Sequence, residues 1–190
     1  MKDDIIRIRW HGRGGQGAIT AAKIVANAAF ASGYEGVVMA PTFGTERRGA
    51  PVLTSLKIAK KKIYDLSPIT RPDMVIVLDH LLLDEVDVAS GAVPGGLVII
   101  NSPLGPDAYC FKGARTATAD VTSISEAAGL PSGIVNTGII GAFARASGLI
   151  GMEPLSLAIE KEFAGKHPEK NINAALRTYD QTIVGDLLNG

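Results

Sequence analysis

The sequence is short of cysteine, of unbalanced charge and of long apolar runs. Cys110 stands alone among 190 residues. A single thiol forms no internal disulfide, ligates no iron–sulfur cluster and builds no cysteine-rich zinc site. Lys and Arg number 19, matched by 19 Asp and Glu, and no like-charge block exceeds Lys60-Lys61-Lys62. That balance leaves no electrostatic footprint for nucleic acid or an anionic membrane. No apolar run approaches the roughly 20 residues of a membrane span, and the charged start Met1-Lys2-Asp3-Asp4 is not that of a signal peptide. The expected location is a reducing cytoplasm. The three histidines, His11, His80 and His167, are isolated from one another and from carboxylates at ligand spacing, so no metal site is expected.

What the chain does have is apolar residues and glycine. Hydrophobic residues make up 46% of it, and a chain of this length buries roughly 70% of its unfolded surface, enough for one domain over residues 1–190. The 22 glycines punctuate the ends of apolar segments. Short β-branched runs at 5–10, 36–39, 74–78 and 97–100 read as strands, the last two apolar throughout. A small-residue helix over Gln16–Ala31 follows the first, and further helices are expected over Thr137–Ala146, Pro154–Phe163 and Pro168–Leu188. Alternation from Val52 to Ile58, the lysine run and Ile63-Tyr64-Asp65 read as a β-hairpin with a solvated turn. Cys110, between Tyr109 and Phe111, reads as a small buried hydrophobe. The fold class is α/β: three layers, α/β/α, with a mostly parallel Rossmann-like sheet, a β-hairpin and a helical C-terminal part.

Two strings carry chemistry. His11-Gly12-Arg13-Gly14-Gly15-Gln16-Gly17 joins the first strand to the first helix, and Gly12, Gly14 and Gly17 satisfy G-x-G-x-x-G. Such a turn allows close backbone approach and turns the free N–H groups of the helix start outward as an anion site. A dinucleotide fold also needs an acid at the end of the second strand. That strand ends Met39-Ala40-Pro41, with Glu35 at its start, so the nicotinamide reading is disfavoured beside tight packing or a phosphate site. The second string is the loop Ala40–Pro51, with an aromatic, two glycines and Glu46-Arg47-Arg48. Arg47 or Arg48 offers a planar fork to a carboxylate or phosphate, or pairs with Glu46 to pin the loop. Asp79-His80 at a strand end is the best placed of the remaining polar pairs, and Asn136-Thr137-Gly138 reads as a helix start.

With Arg71-Pro72-Asp73 leading into Met74–Asp79, these strings at these separations resemble the gamma subunit of the 2-oxoacid:ferredoxin oxidoreductases, the pyruvate synthase type most closely. The resemblance spans nearly the whole chain. It implies one subunit of an oxidoreductase that converts a 2-oxoacid, coenzyme A and oxidised ferredoxin into acyl-CoA, CO2 and reduced ferredoxin. Thiamine diphosphate and iron–sulfur clusters are then expected on the partner alpha, beta and ferredoxin-like delta subunits, or fused equivalents. The gamma chain would help enclose coenzyme A and would be inactive and prone to pair with itself when alone. The site residues expected to line the coenzyme A or subunit-facing crevice are Gly12, Arg13, Gly14, Gly15, Gln16, Gly17, Arg47 and Arg48; no catalytic residue is assigned to this chain. The alternatives are an independent nucleotide-binding Rossmann-like protein and a scaffold module without catalytic partners.

Overall fold

The computed structural model describes residues 4–41 and 48–187. Among them are seven strands: β1 (Ile6–Arg13), β2 (Gly36–Pro41), β3 (Pro51–Ala59), β4 (Met74–Val77), β5 (Gly96–Asn101), β6 (Ala114–Ala119) and β7 (Ile183–Val184). They form one sheet in the order β2-β3-β1-β4-β5-β6-β7. The centre, β1, β4, β5 and β6, is parallel. Antiparallel pairings of β3 with β1 and β2, and of β7 with β6, complete the sides. Five α-helices accompany the sheet: α1 (Ala18–Ala31), α2 (Val121–Ala127), α3 (Gly138–Ser147), α4 (Met152–Glu162) and α5 (Pro168–Gln181).

The period-two alternation of the strands sorts side chains into two cores. Ile8, Trp10, Leu56, Ile58, Leu97 and Ile99 face the helices, all five of which contribute to this larger core. The alanines of α1, among them Ala21, Ala22, Ala28 and Ala29, are buried and let the helix lie close to the strands. Trp10 stacks obliquely on Phe143 of α3, ring centroids 6.1 Å apart. Val75, Val77, Val98 and Ile100 point the other way, into a smaller core closed by Leu82 and Val88 with Tyr109 and Phe111. Burial on both faces explains why β4 and residues 97–100 of β5 are apolar at every position. The layer over this second face is thin, a 3-10 turn at His80–Asp84 and loops.

Three expectations change. The hairpin partner of β3 is β2, not Ile63-Tyr64-Asp65; β3 is an interior strand, paired on its other side with β1. Residues 63–65 are not a strand: Tyr64 is 88% exposed, and Asp65 binds the buried ammonium of Lys57 at 2.8 Å. Alternation identified β3 but contains nothing about which neighbour it pairs with. The last helix ends at Gln181, because the β-branched run Thr182-Ile183-Val184 favours the strand that pairs with β6; Leu188 lies outside the described residues. Cys110 is exposed rather than buried. Lys60, Lys61 and Lys62 are exposed, as expected of a solvated turn.

Candidate functional site

The chain connectivity decides what meets at the carboxyl end of β1. From β1 the chain passes through α1 to β2, and the segment after β2 returns as β3, inserted between β2 and β1. In register, Gly12 lies opposite Val52 and Arg13 opposite Pro51. The start of β3, and residues 48–50 before it, are thereby held against the glycine turn. Two backbone bonds close the junction: the Gly14 N–H donates to the Ala50 carbonyl (2.9 Å) and the Gly49 N–H to the Gly14 carbonyl (3.0 Å). The inserted strand also moves the end of β2 two strand spacings, about 10 Å, from the turn. A dinucleotide ribose held by β2 has no place in this topology.

The glycines serve close approach. Gly17 takes φ 82° as the residue before α1, and a Cβ there would lie 2.8 Å from Nδ2 and 2.9 Å from Cβ of Asn136. Gly12 is buried, and a Cβ would stand 3.2 Å from that of Ala18. Helix α1 has no side-chain cap and no acid in its first turn; its first bonded amide is Ala21, which donates to the Gly17 carbonyl. The N–H groups of Ala18, Ile19 and Thr20 therefore have no partner within the helix. They border a cleft of about 220 Å3 lined also by Gly14, Gly15 and Val52.

The expected site residues divide by what they touch. Gly12 to Gly17 and Arg48 are brought together: Arg48 is exposed, with Cγ 3.9 Å from where a Cβ of Gly15 would stand. Arg13 sits at the turn, but its guanidinium is engaged within the chain. Nε donates to Asp79 (2.7 Å), Nη2 to Glu85 (2.6 Å) and Nη1 to the Gly49 carbonyl (3.3 Å). Gln16 folds back to accept the Arg13 N–H at 2.8 Å. Arg47, with Glu46, lies outside the described residues. Hydrogen bonding to Glu85 and Asp79 raises Arg13 above its ordinary range, and Arg13 holds Glu85 below the usual carboxylate range. Both groups stay charged near neutrality.

Asp79 joins the site as a positioning group, since it holds Arg13 and also accepts the Leu81 N–H that starts the 3-10 turn (3.0 Å). Its place at a strand end was visible; Glu85 and Asn136 carried no comparable signal, because their approach to the turn depends on tertiary folding. Arg9 fastens the loop over the second face, donating to the carbonyls of Val88 (2.7 Å) and Ser90 (2.6 Å). Between Arg9 and Arg13, His11 buries an Nε2 that has no hydrogen-bond partner. Burial, reinforced by the charge of Arg9, lowers its pKa to about 4. Among the described residues no His, Cys, Asp and Glu group is arranged to hold a metal ion, and no helix is long and apolar enough to cross a membrane.

A glycine turn opening an uncapped helix at the carboxyl end of the central strand of a mixed sheet defines a Rossmann-like α/β fold. Residues 7–181 match the family described as pyruvate ferredoxin/flavodoxin oxidoreductase, and the chain belongs to that family. It is 45% identical over 188 residues to the pyruvate/ketoisovalerate oxidoreductases common subunit gamma of Thermococcus kodakarensis, covering 96% of this chain and all of the relative. It is 44% identical over 182 residues to pyruvate synthase subunit PorC of Methanocaldococcus jannaschii, covering 94% and 98% of the two chains. The crystal structure of pyruvate oxidoreductase subunit PORC from Thermotoga maritima superposes with a TM-score of 0.83 at 29% identity, covering 97% of this chain and all of that one.

Gly17 and Gly49 both take positive φ, but only Gly17 faces a side chain; nothing lies within 4 Å of a Cβ at Gly49. Gly49→Ala should cost about 1 kcal/mol and Gly17→Ala about 2–4 kcal/mol. Urea unfolding followed through the single tryptophan, Trp10, checks the difference. His11 sets a pH dependence. The unfolded chain protonates it near 6.5 and the folded chain near 4, so the unfolded state binds more protons in that window. Stability should be level above pH 6.5, fall by about 3 kcal/mol on descending to pH 4, and owe nothing further to His11 below it. His11→Asn should flatten that segment of the stability–pH curve.

Proposed function

We propose that this chain is the gamma subunit of a 2-oxoacid:ferredoxin oxidoreductase, and that the Gly12–Gly17 turn with Arg47 and Arg48 is its share of a coenzyme A pocket. One observation carries the reading: the uncapped start of α1 and the base of the arginine loop are locked together by the Gly14, Gly49 and Ala50 backbone bonds. Free N–H groups and a guanidinium at one edge suit the phosphate oxygens of coenzyme A. The cleft of about 220 Å3 is smaller than the roughly 300–1,000 Å3 of a complete small-molecule site. It fits a wall that a second subunit completes.

The reaction is the oxidative decarboxylation of a 2-oxoacid, with pyruvate or a branched-chain 2-oxoacid as substrate. The acyl group passes to coenzyme A, and two electrons leave singly for ferredoxin. Thiamine diphosphate supplies the carbanion chemistry, and iron–sulfur clusters take the electrons. Neither belongs to this chain: four thiolates are needed for a cluster and the sequence has one cysteine. Both are assigned to the alpha, beta and delta partners. Within this chain Arg13, Asp79 and Glu85 hold the turn, α1 and Arg48 meet anionic charge, and no residue acts on the reacting carbon. Phe30 and Leu157, 69% and 61% exposed, flank an apolar groove of about 510 Å3 between α1 and α4. That exposure supports burial against another subunit or, in the isolated chain, a second copy.

A second reading places the turn and arginine loop against the alpha subunit, favoured by the incomplete cleft. The assembled complex carrying Arg48→Ala separates the two. Loss of a charge-assisted phosphate contact should weaken coenzyme A binding about 10- to 100-fold, with subunit co-purification unchanged. Unchanged affinity together with lost co-purification would assign Arg48 to the subunit contact instead.

A further inference from the structure

At the opposite end of the sheet from the glycine turn, the amino ends of β1 and β4 border a cavity of about 480 Å3 whose charged lining is Arg7, Lys57, Asp65, Arg71 and Asp73. Its volume falls within the roughly 300–1,000 Å3 of a complete small-molecule site. Cations are placed here against their own repulsion. Arg7 of β1 lies directly opposite Lys57 of β3 in the ladder, a like-charge pairing that weakens a sheet. Lys57 is 4% exposed, and its ammonium donates to Asp65 Oδ2 (2.8 Å) and to the Asp65 carbonyl (3.0 Å). Its third proton has no acceptor among the described residues. Both carboxylates are engaged: Asp65 Oδ1 accepts the Ser67 N–H at 2.9 Å, and Asp73 Oδ2 accepts the Arg7 N–H at 2.8 Å. Arg71, exposed in the strand entry Arg71-Pro72-Asp73, makes no hydrogen bond or ion pair among the described residues.

We propose that this cavity binds a small organic acid, whose carboxylate meets the Arg71 guanidinium and the third Lys57 proton while its apolar part rests on Pro68, Ile69 and Val93, which line the same space. Among the lining residues Lys57 offsets Asp65 and Arg7 offsets Asp73. Arg71 is the charge left over, and a monoanion with a planar carboxylate matches its fork. A bare inorganic anion would leave the apolar side unfilled. The strand entry then has two tasks. The Asp73 N–H donates to the Arg7 carbonyl at 2.8 Å and ties β4 to β1, which fixes Arg71 at the rim of the cavity. A bound acid would join residues 65–71 to β3. This site is independent of the coenzyme A reading, since Arg7 and Arg13 stand six residues, about 20 Å, apart on one strand.

The purified full chain tests this without partner subunits, so that no catalytic site contributes. The probes are 3-methylbutanoate, acetate and inorganic phosphate, followed by hydrogen exchange. 3-Methylbutanoate should slow exchange across residues 65–73 saturably, leave residues 13–20 unchanged, and bind about tenfold or more tightly than acetate, because its extra carbons are buried. Arg71→Gln should weaken that binding about tenfold or more. Its unfolding temperature without ligand should stay level, since the guanidinium has no partner to lose. Val93→Ser, the second variant, should weaken 3-methylbutanoate and leave acetate unchanged. Phosphate binding as tightly as 3-methylbutanoate, or full affinity in Arg71→Gln, would overturn the organic-acid assignment. No saturable effect from any probe would overturn the site itself. Protection of residues 65–73 in the assembled complex without added acid would then assign the cavity to an acidic side chain of a partner subunit.

Discussion

Everything at the carboxyl end of this sheet depends on the antiparallel pairing of β3 with β1. The pairing inserts a returning strand between β1 and β2, and the last rungs of the ladder, Gly12 with Val52 and Arg13 with Pro51, bring two distant loops to one edge. Beyond the ladder, the reciprocal bonds among Gly14, Gly49 and Ala50 continue it into the turn. The outward aim of the α1 amides and the position of Arg48 both follow. Without the inserted strand, β2 would sit beside β1, where a dinucleotide fold puts it, and Pro51 and Val52 would not stand opposite Arg13 and Gly12.

The charged residues of β1 compensate for a thin second layer. Along Ile6–Arg13 the side chains alternate, so Ile8 and Trp10 enter the helical core while Arg9, His11 and Arg13 face the opposite way. Arg9 fastens the loop at Val88 and Ser90; Arg13 fastens Asp79 and Glu85. These arginines do for the loop layer what apolar packing does for the helices. His11, enclosed between them and kept neutral by burial, is the group whose protonation opposes this arrangement in acid. The arginine nearest the glycine turn is thus a structural cation, whereas Arg48 is exposed.

Much of the fold was legible in the residues. The doubly apolar runs of β4 and β5 announced a covered parallel centre, and the alanine-rich α1 and the glycine turn fell within two residues of where they were read. Partner choice was not legible. The alternation of β3 has the same form whether it pairs with β2 or with residues 63–65, and Lys57, buried on Asp65, looks in sequence like any strand lysine. Of the site, the turn was readable, and so was the exit of β2 on the same side of the sheet as the turn; the bonding of Gly49 and Ala50 to Gly14 was not, because it follows from the β3 insertion. Asn136 was read only as a helix start, since nothing local says that α3 begins against Gly17. Glu85 was hidden likewise: its carboxylate reaches Arg13 across 72 residues.

The central claim, that the turn and the base of the arginine loop face coenzyme A, is open to one direct measurement. Hydrogen exchange of the assembled complex, with and without coenzyme A, reads the amides themselves. The account predicts slowed exchange in segments covering residues 13–20 and 48–50, with β7 at the far edge of the sheet unchanged. Unaltered exchange across both segments in a complex that demonstrably binds coenzyme A would contradict it.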